Sequence, residues 1–278
     1  MAENSQYPSL VLGLDISTTC IGISIVYDDG ENEPNVELIS HVSPKIDKKI
    51  KGIEALILRK QIFENDFLNR MDDILAGINC PLKKITDCVI ESPMTRTSGK
   101  SNAETVAQLL QFNGLLSESV YRVLHLVPNY VSSYDARMQS FPELLSVRKF
   151  NKKGEEYPVK HIENALKDNK VVLFGSYPFD CDKKSIMMNM VCDKYPNIDW
   201  ILDKNGNLKK ENFDSCDALV CALAFCNTRK YGELNATITE WKKEYKIYGP
   251  TISYLMRVWD RLYYKEILLT EDLNIKED

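Results

Sequence analysis

A chain of 278 residues, 44% hydrophobic and 27% charged, can bury a substantial core, which fits one large domain or one domain plus an extension. No run of eighteen apolar residues occurs, and Met1 to Gln6 lack the basic-then-apolar pattern of a secretion signal, so the sequence predicts a soluble, cytoplasmic protein without a membrane span. The net charge of −5 argues against a non-specific nucleic-acid coat but not against a nuclease, whose active-site carboxylates raise the acidic count.

Residues 9–16 read as a strand, apolar at nearly every position and so buried on both faces. A polar turn, Ser17-Thr18-Thr19, leads into a second strand over 20–28. Asp28-Asp29-Gly30 then turns the chain into a third over 36–42, and the three together predict an antiparallel meander. Ile53, Leu56, Ile57, Ile62, Phe63, Phe67, Met71, Ile74 and Leu75 recur at helical spacing and predict a helix over 53–77. A strand over 85–91 ends at Glu91, and Pro93 opens a polar loop from Met94 to Asn102. Asn102 is placed to cap a helix over 103–121 with Val106, Leu109, Leu110, Leu116 and Val120 on its apolar face. Residues 122–127 return as a strand closed by Pro128.

The stretch 143–182 reads as an insertion, with a short helix near 159–168 and a strand at 170–174. A helix follows over 184–195, then a loop or hairpin around Asn205-Gly206, then the last core helix over 214–227. Beyond 230 the aromatics become dense, from Trp241 to Tyr264, and Pro250 suits a helix start. The expected organisation is a domain of residues 1–230 followed by a helical extension over 231–278. No repeat or low-complexity tract interrupts it.

Eight cysteines are present and none forms a Cys-x-x-Cys pair; Cys88, Cys221 and Cys226 lie in apolar patterns and are expected to be buried free thiols. His41, His125 and His161 are scattered and do not pair with them at zinc-ligand spacing. Basic residues gather between Lys45 and Lys60 and again at Arg148, Lys149, Lys152, Lys153 and Lys160, as a solvated face or as phosphate contacts.

Four acids stand out against the apolar strands and helix. Asp15 lies in Leu10-Val11-Leu12-Gly13-Leu14-Asp15-Ile16, Glu91 ends Cys88-Val89-Ile90-Glu91, and Asp214 and Asp217 open the late helix. Carboxylates on buried strands are costly unless paired, and a shared divalent cation such as Mg²⁺ is the simplest partner. Each motif also has a plain structural account. An Asp after a strand starts turns, and acids at a helix N-terminus serve as caps and complement the dipole. It is the conjunction in chain order that points to metal chemistry.

That order, β-β-β-α-β-α-β-α with acids on strand one, at the end of strand four and on the final helix, resembles the ribonuclease H-like fold. Within it the chain resembles the RuvC family of Holliday-junction resolvases, over residues 9–228. The matching motifs are Gly13-Leu14-Asp15, Ile90-Glu91, Asp214-x-x-Asp217-Ala218-Leu219, Tyr134-x-Ala136-Arg137 and Lys184-Ser185. The chain departs from the family at Ile16-Ser17, where Pro-Gly is usual, and in its insertion and extension.

The resemblance implies an α/β protein with a mixed five-stranded sheet flanked by helices, acting as a crossover junction endodeoxyribonuclease on branched DNA such as a four-way junction. It implies two Mg²⁺ ions, with Mn²⁺ as substitute, held by Asp15, Glu91, Asp214 and Asp217. Lys184 would add to catalysis and contact DNA, as would Arg137, with Arg148 or Lys149 in place of a second basic residue of the family; Arg96 and Lys100 suit DNA-backbone contacts by their place in the loop after Glu91, or are simply an exposed loop. The products would carry a 5′-phosphate and a 3′-hydroxyl. A homodimer is expected, because a four-way junction has two-fold symmetry and needs two symmetric cuts. Two other readings stay open. One is a noncatalytic DNA-binding or scaffolding protein of the same fold. The other is an actin-like ATPase or sugar kinase using Ser17-Thr18-Thr19 as a phosphate loop, although 12 glycines supply no second Gly-rich loop.

Overall fold

The computed structural model describes residues 7–93, 102–141 and 182–230. Five strands form one sheet: β1 (Ser9–Ile16), β2 (Ile21–Asp28), β3 (Asn35–Val42), β4 (Asp87–Glu91) and β5 (Asn129–Val131). Their spatial order is β3-β2-β1-β4-β5, antiparallel from β3 to β1 and parallel from β1 through β4 to β5. This is the expected meander, extended on its far side by parallel strands, and it is the ribonuclease H-like arrangement. The helices are α1 (Gly52–Asp66), α2 (Met71–Gly77), α3 (Ala103–Leu124), α4 (Ser133–Ser140), α5 (Lys183–Lys194) and α6 (Glu211–Lys230). Among the described residues no helix is long and apolar enough to cross a membrane.

The near-continuous apolar run of β1 serves both faces of the sheet. Leu10, Leu12, Leu14 and Ile16 join Ile21, Ile23 and Ile25 in a core with Leu56 and Phe63 of α1 and Phe112, Leu116 and Val120 of α3. The alternate positions Gly13, Gly22 and Ser24 lie beneath α6. The apolar stretch from Cys216 to Ala224 on that helix is buried throughout.

Packing divides the chain into one unit of Met1–Arg137 with Met187–Cys226, which holds the sheet, and another of Met138–Ile186 with Asn227–Asp278. In the described part of the second unit, Asn227 donates its side-chain amide to the carbonyl of Gln139 at 2.7 Å.

Two expectations are corrected. The continuous helix over 53–77 is broken: α1 ends before Phe67 (φ −131°, ψ −66°), a 3₁₀ turn spans Leu68–Arg70, and α2 follows. Phe67 and Leu68, on either side of the break, both lie in the core. Ile53 and Ile57, assigned to that stripe, are instead 54% and 40% exposed.

The strand over 122–127 does not form. Helix α3 continues to Leu124 and stops at His125, which is left-handed (φ 57°) and donates its N–H to Tyr121 O at 2.9 Å. Pro128 then precedes the fifth strand rather than ending it. Val123 and Leu124 pack on the core from a helix, and a short apolar run does not by itself distinguish that from a strand.

The α3 cap is as expected. Asn102 Oδ1 accepts from Thr105 N at 2.7 Å and from its hydroxyl at 2.8 Å. Asn102→Ala should cost about 1 kcal/mol, a fall of roughly 2–4 °C in the calorimetric midpoint. An unchanged midpoint would show that the cap is dispensable.

Candidate metal centre

Asp15 is the penultimate residue of β1 and pairs with Gly22 of β2. Leu14 is in register with Ile90 of parallel β4, so Asp15 and Glu91 follow side by side at adjoining strand ends and point to the same face. Asp217 comes down onto that face from α6. Carboxylate oxygens of Asp15, Glu91 and Asp217 all lie within 4.8 Å of one another. Residues 76 and more apart in sequence thus form one acidic group, and Asp217 is only 5% exposed.

Two glycines let α6 come this close. A Cβ on Gly22 would lie 2.0 Å from the carbonyl oxygen of Asp214, and one on Gly13 would lie 2.3 Å from that of Ala218. The helix is also held by two hydroxyls. Ser24 Oγ donates to Ala218 O at 3.0 Å, and Ser215 Oγ donates to Ser40 O at 2.7 Å. The sheet therefore sets both the height and the rotation of α6 at the turn that carries Asp217.

Three clustered carboxylates repel one another unless a cation is near. Arg137, at the end of the Tyr134-x-Ala136-Arg137 motif on α4, places Nη2 3.4 Å from Asp217 Oδ1, with both side chains largely buried. Expected as a DNA contact, it lies beside the acidic group. Cys221, one helical turn beyond Asp217, was missed as a neighbour. Burial pushes its thiol well above the ordinary range, and Glu91, Asp15 and Asp217 push it further while Arg137 opposes them. It therefore floors the site as a neutral thiol. The spacing i, i+4 from Asp217 was the available signal.

Asp214 stands outside the three-carboxylate group. Its carbonyl rests on Gly22, and its charge acts on the thiol of Cys20 in the β1–β2 turn. Burial, then the adjacent Asp214 charge, raises that thiol to about 12, with a hydrogen bond from Ser43 acting against them. Lys184 is exposed on the first turn of α5, where its backbone N–H meets Asp182 Oδ1 at 3.1 Å. Arg96, Lys100, Arg148 and Lys149 lie outside the described residues, as do the extension over 231–278 and all of the predicted insertion except Asp182.

The donor set is oxygen only, which suits a hard divalent cation such as Mg²⁺ or Mn²⁺ rather than a thiolate-seeking metal. The carboxylates at hand fit such an ion without rearrangement of the strands.

No protein-family model and no curated protein sequence matches the chain. Among solved structures it is similar to Thermus thermophilus RuvC in complex with Holliday junction substrate, at 11% identity over 81% of this chain and 96% of that one, with a TM-score of 0.46. It is also similar to the yeast mitochondrial Holliday junction resolvase Ydc2 (12% identity, 86% and 87% covered, TM-score 0.43). A third likeness is to the Aquifex aeolicus member of the Ppx/GppA family (8% identity, 84% and 98% covered, TM-score 0.33).

Proposed function

We propose that the chain is a metal-dependent, structure-selective DNA endonuclease of the RuvC type that resolves four-way junctions or other branched DNA. The observation that carries this reading is the convergence of Asp15, Glu91 and Asp217, from two strand ends and one helix, into a space the size of a cation site. These three would hold the ion, with Asp214 as a fourth acid. Divalent ions in such a site, commonly a pair, supply Lewis-acid activation for phosphodiester hydrolysis. Arg137 balances the charge of Asp217 and, as a DNA contact, would meet a phosphate oxygen. Lys184 adds a phosphate contact. A homodimer matches the two-fold symmetry of the junction.

The kinase-like reading loses ground at the β1–β2 turn. The Ser17 hydroxyl donates to Cys20 O at 2.8 Å and accepts from Cys20 N at 3.0 Å, so it is occupied in holding the turn.

The test is Mg²⁺-dependent cleavage of a synthetic four-way junction beside matched duplex and fork, with Asp15→Asn as control. Paired symmetric nicks confined to the junction, lost with chelator and in the variant, are the expected result. Binding should also weaken steeply with salt, because recognition rests on phosphates. Cutting of every branched substrate would make the protein a general debranching nuclease. Tight junction binding without cleavage would make it a scaffold.

A further inference from the structure

Arg137 meets the acidic group from a fixed base. Beside the paired strands β4 and β5, Ser92 N donates to Val131 O at 2.7 Å. The next residue, Ser132, caps α4: its Oγ accepts from Asp135 N at 3.0 Å and donates to Asp135 Oδ2 at 2.6 Å. Ala136 N then donates to Ser132 O at 2.8 Å. Glu91 ends β4, so these bonds tie the backbone of Arg137 to the strand that carries one of the three acids. The freedom that remains is in the arginine side chain.

That side chain brings Nη2 to 3.4 Å from Asp217 Oδ1, longer than the roughly 2.7–2.9 Å of a tight charge-assisted bond. The two side chains are 16% and 6% exposed, so salt and water screen the pair little. The guanidinium keeps its charge at every pH the protein meets. It offsets part of the repulsion among Asp15, Glu91 and Asp217, whose oxygens lie within 4.8 Å of one another. A divalent ion bound by these three carboxylates would draw on the same Asp217 charge and would stand near the guanidinium as a like charge. Each cation then weakens the hold of the other.

We infer that Arg137 is a resident counter-cation: it offsets Asp217 while no ion is bound, competes with the divalent ion for that carboxylate, and yields it when the ion enters. The inference rests on the metal-dependent reading and concerns what keeps the acids together before the ion arrives. It has an opposite. A fixed outer partner that orients the carboxylate would help the ion to bind, and its loss would weaken binding.

The experiment measures two quantities on the full chain, without DNA and at one neutral pH: the calorimetric midpoint in chelator and the Mn²⁺ binding isotherm. Arg137→Gln should lower the midpoint in chelator, because the acids lose their counter-charge. It should also bind Mn²⁺ about 5-fold more tightly, the lower end for coupling between two ligands of one protein. Arg137→Lys, which keeps the charge, should bind Mn²⁺ as wild type does. In an Asp217→Asn background the midpoint lost through Arg137→Gln should shrink, since the partner charge is gone. Should Arg137→Gln not fold in chelator, Arg137→Met, which keeps an apolar stem and no charge, carries the same comparison.

A merely structural arginine would lose stability without gaining affinity. Mn²⁺ affinity in the neutral variants equal to wild type would therefore overturn the inference, and weaker affinity would make Arg137 an orienting partner instead. Wild-type protein that binds no Mn²⁺ at all would remove the metal-dependent reading itself, and the counter-cation with it.

Discussion

Replacing Asp217 with asparagine is expected to reduce junction cleavage by roughly 10³-fold or more, in line with losses on removing a key electrostatic group from an active site. Asn keeps the size of the side chain and its bond-accepting oxygen but removes the charge from the most buried member of the group. A neutral amide is a poor ligand for Mg²⁺ in a site built from carboxylates. Junction binding should persist, because phosphate contacts elsewhere carry it and one negative charge has been taken from the DNA-facing group. The fold should persist as well. Asp15 and Glu91 remain to balance Arg137, and repulsion among the acids falls.

The sign of the metal effect gives a second readout. Wild type should melt at higher temperature with Mg²⁺ present, since an ion bound only by the native state stabilises it; in Asp217→Asn most of that increment should vanish. Cleavage within tenfold of wild type, with an unchanged Mg²⁺ increment, would remove Asp217 from the site.

Gly22→Ala is expected to be the most damaging single-methyl change in the described residues. The added Cβ would lie 2.0 Å from the carbonyl oxygen of Asp214, 2.2 Å from its carbonyl carbon and 2.7 Å from Ser215 N. All three are backbone atoms, so no rotamer change relieves the clash, and α6 must lift from the sheet. Overpacking of this kind costs about 3 kcal/mol, which lowers the melting midpoint by roughly 6–12 °C. Activity should fall further than stability, because the lifted turn is the one that places Asp214 and Asp217 over β1 and β2.

Gly114→Ala on α3 is the matched control. No atom lies within 4 Å of its added Cβ, and alanine favours a helix by up to about 1 kcal/mol over glycine, so stability should hold or rise. A Gly22→Ala protein with a wild-type midpoint and wild-type cleavage would show that α6 is not seated on the strands as described.

Much of the fold was legible because it is written in local pattern. The unbroken apolar run of Leu10 to Leu14 requires a strand with two covered faces. The polar turns at Ser17-Thr18-Thr19 and Asp28-Asp29-Gly30 are too short for anything but antiparallel neighbours. Asn102 announces the start of α3. Asp15 and Glu91 were legible as a pair for a related reason: residues at the ends of buried strands meet once those strands are neighbours.

The break at Phe67 and the three-residue β5 carried no such signal. Both are settled by tertiary contacts, the packing of Phe67 and Leu68 in the core and the pairing of β5 with β4, and no local motif encodes that.

The sequence by itself determined the antiparallel meander of β1 to β3 and supplied acids at both strand ends and on one helix. It placed both helical acids with the strand pair and carried no signal to separate them, since Asp214 and Asp217, three residues apart, lie near one face of any helix. The tertiary structure decided that. Close approach of α6 at Gly13 and Gly22, with Ser24 and Ser215 holding its turns, rotates Asp217 into the group with Asp15 and Glu91 and leaves Asp214 outside it. The height and rotation of a helix on a sheet are set by contacts between residues about two hundred positions apart, and the periodicity of the helix itself carries no record of them.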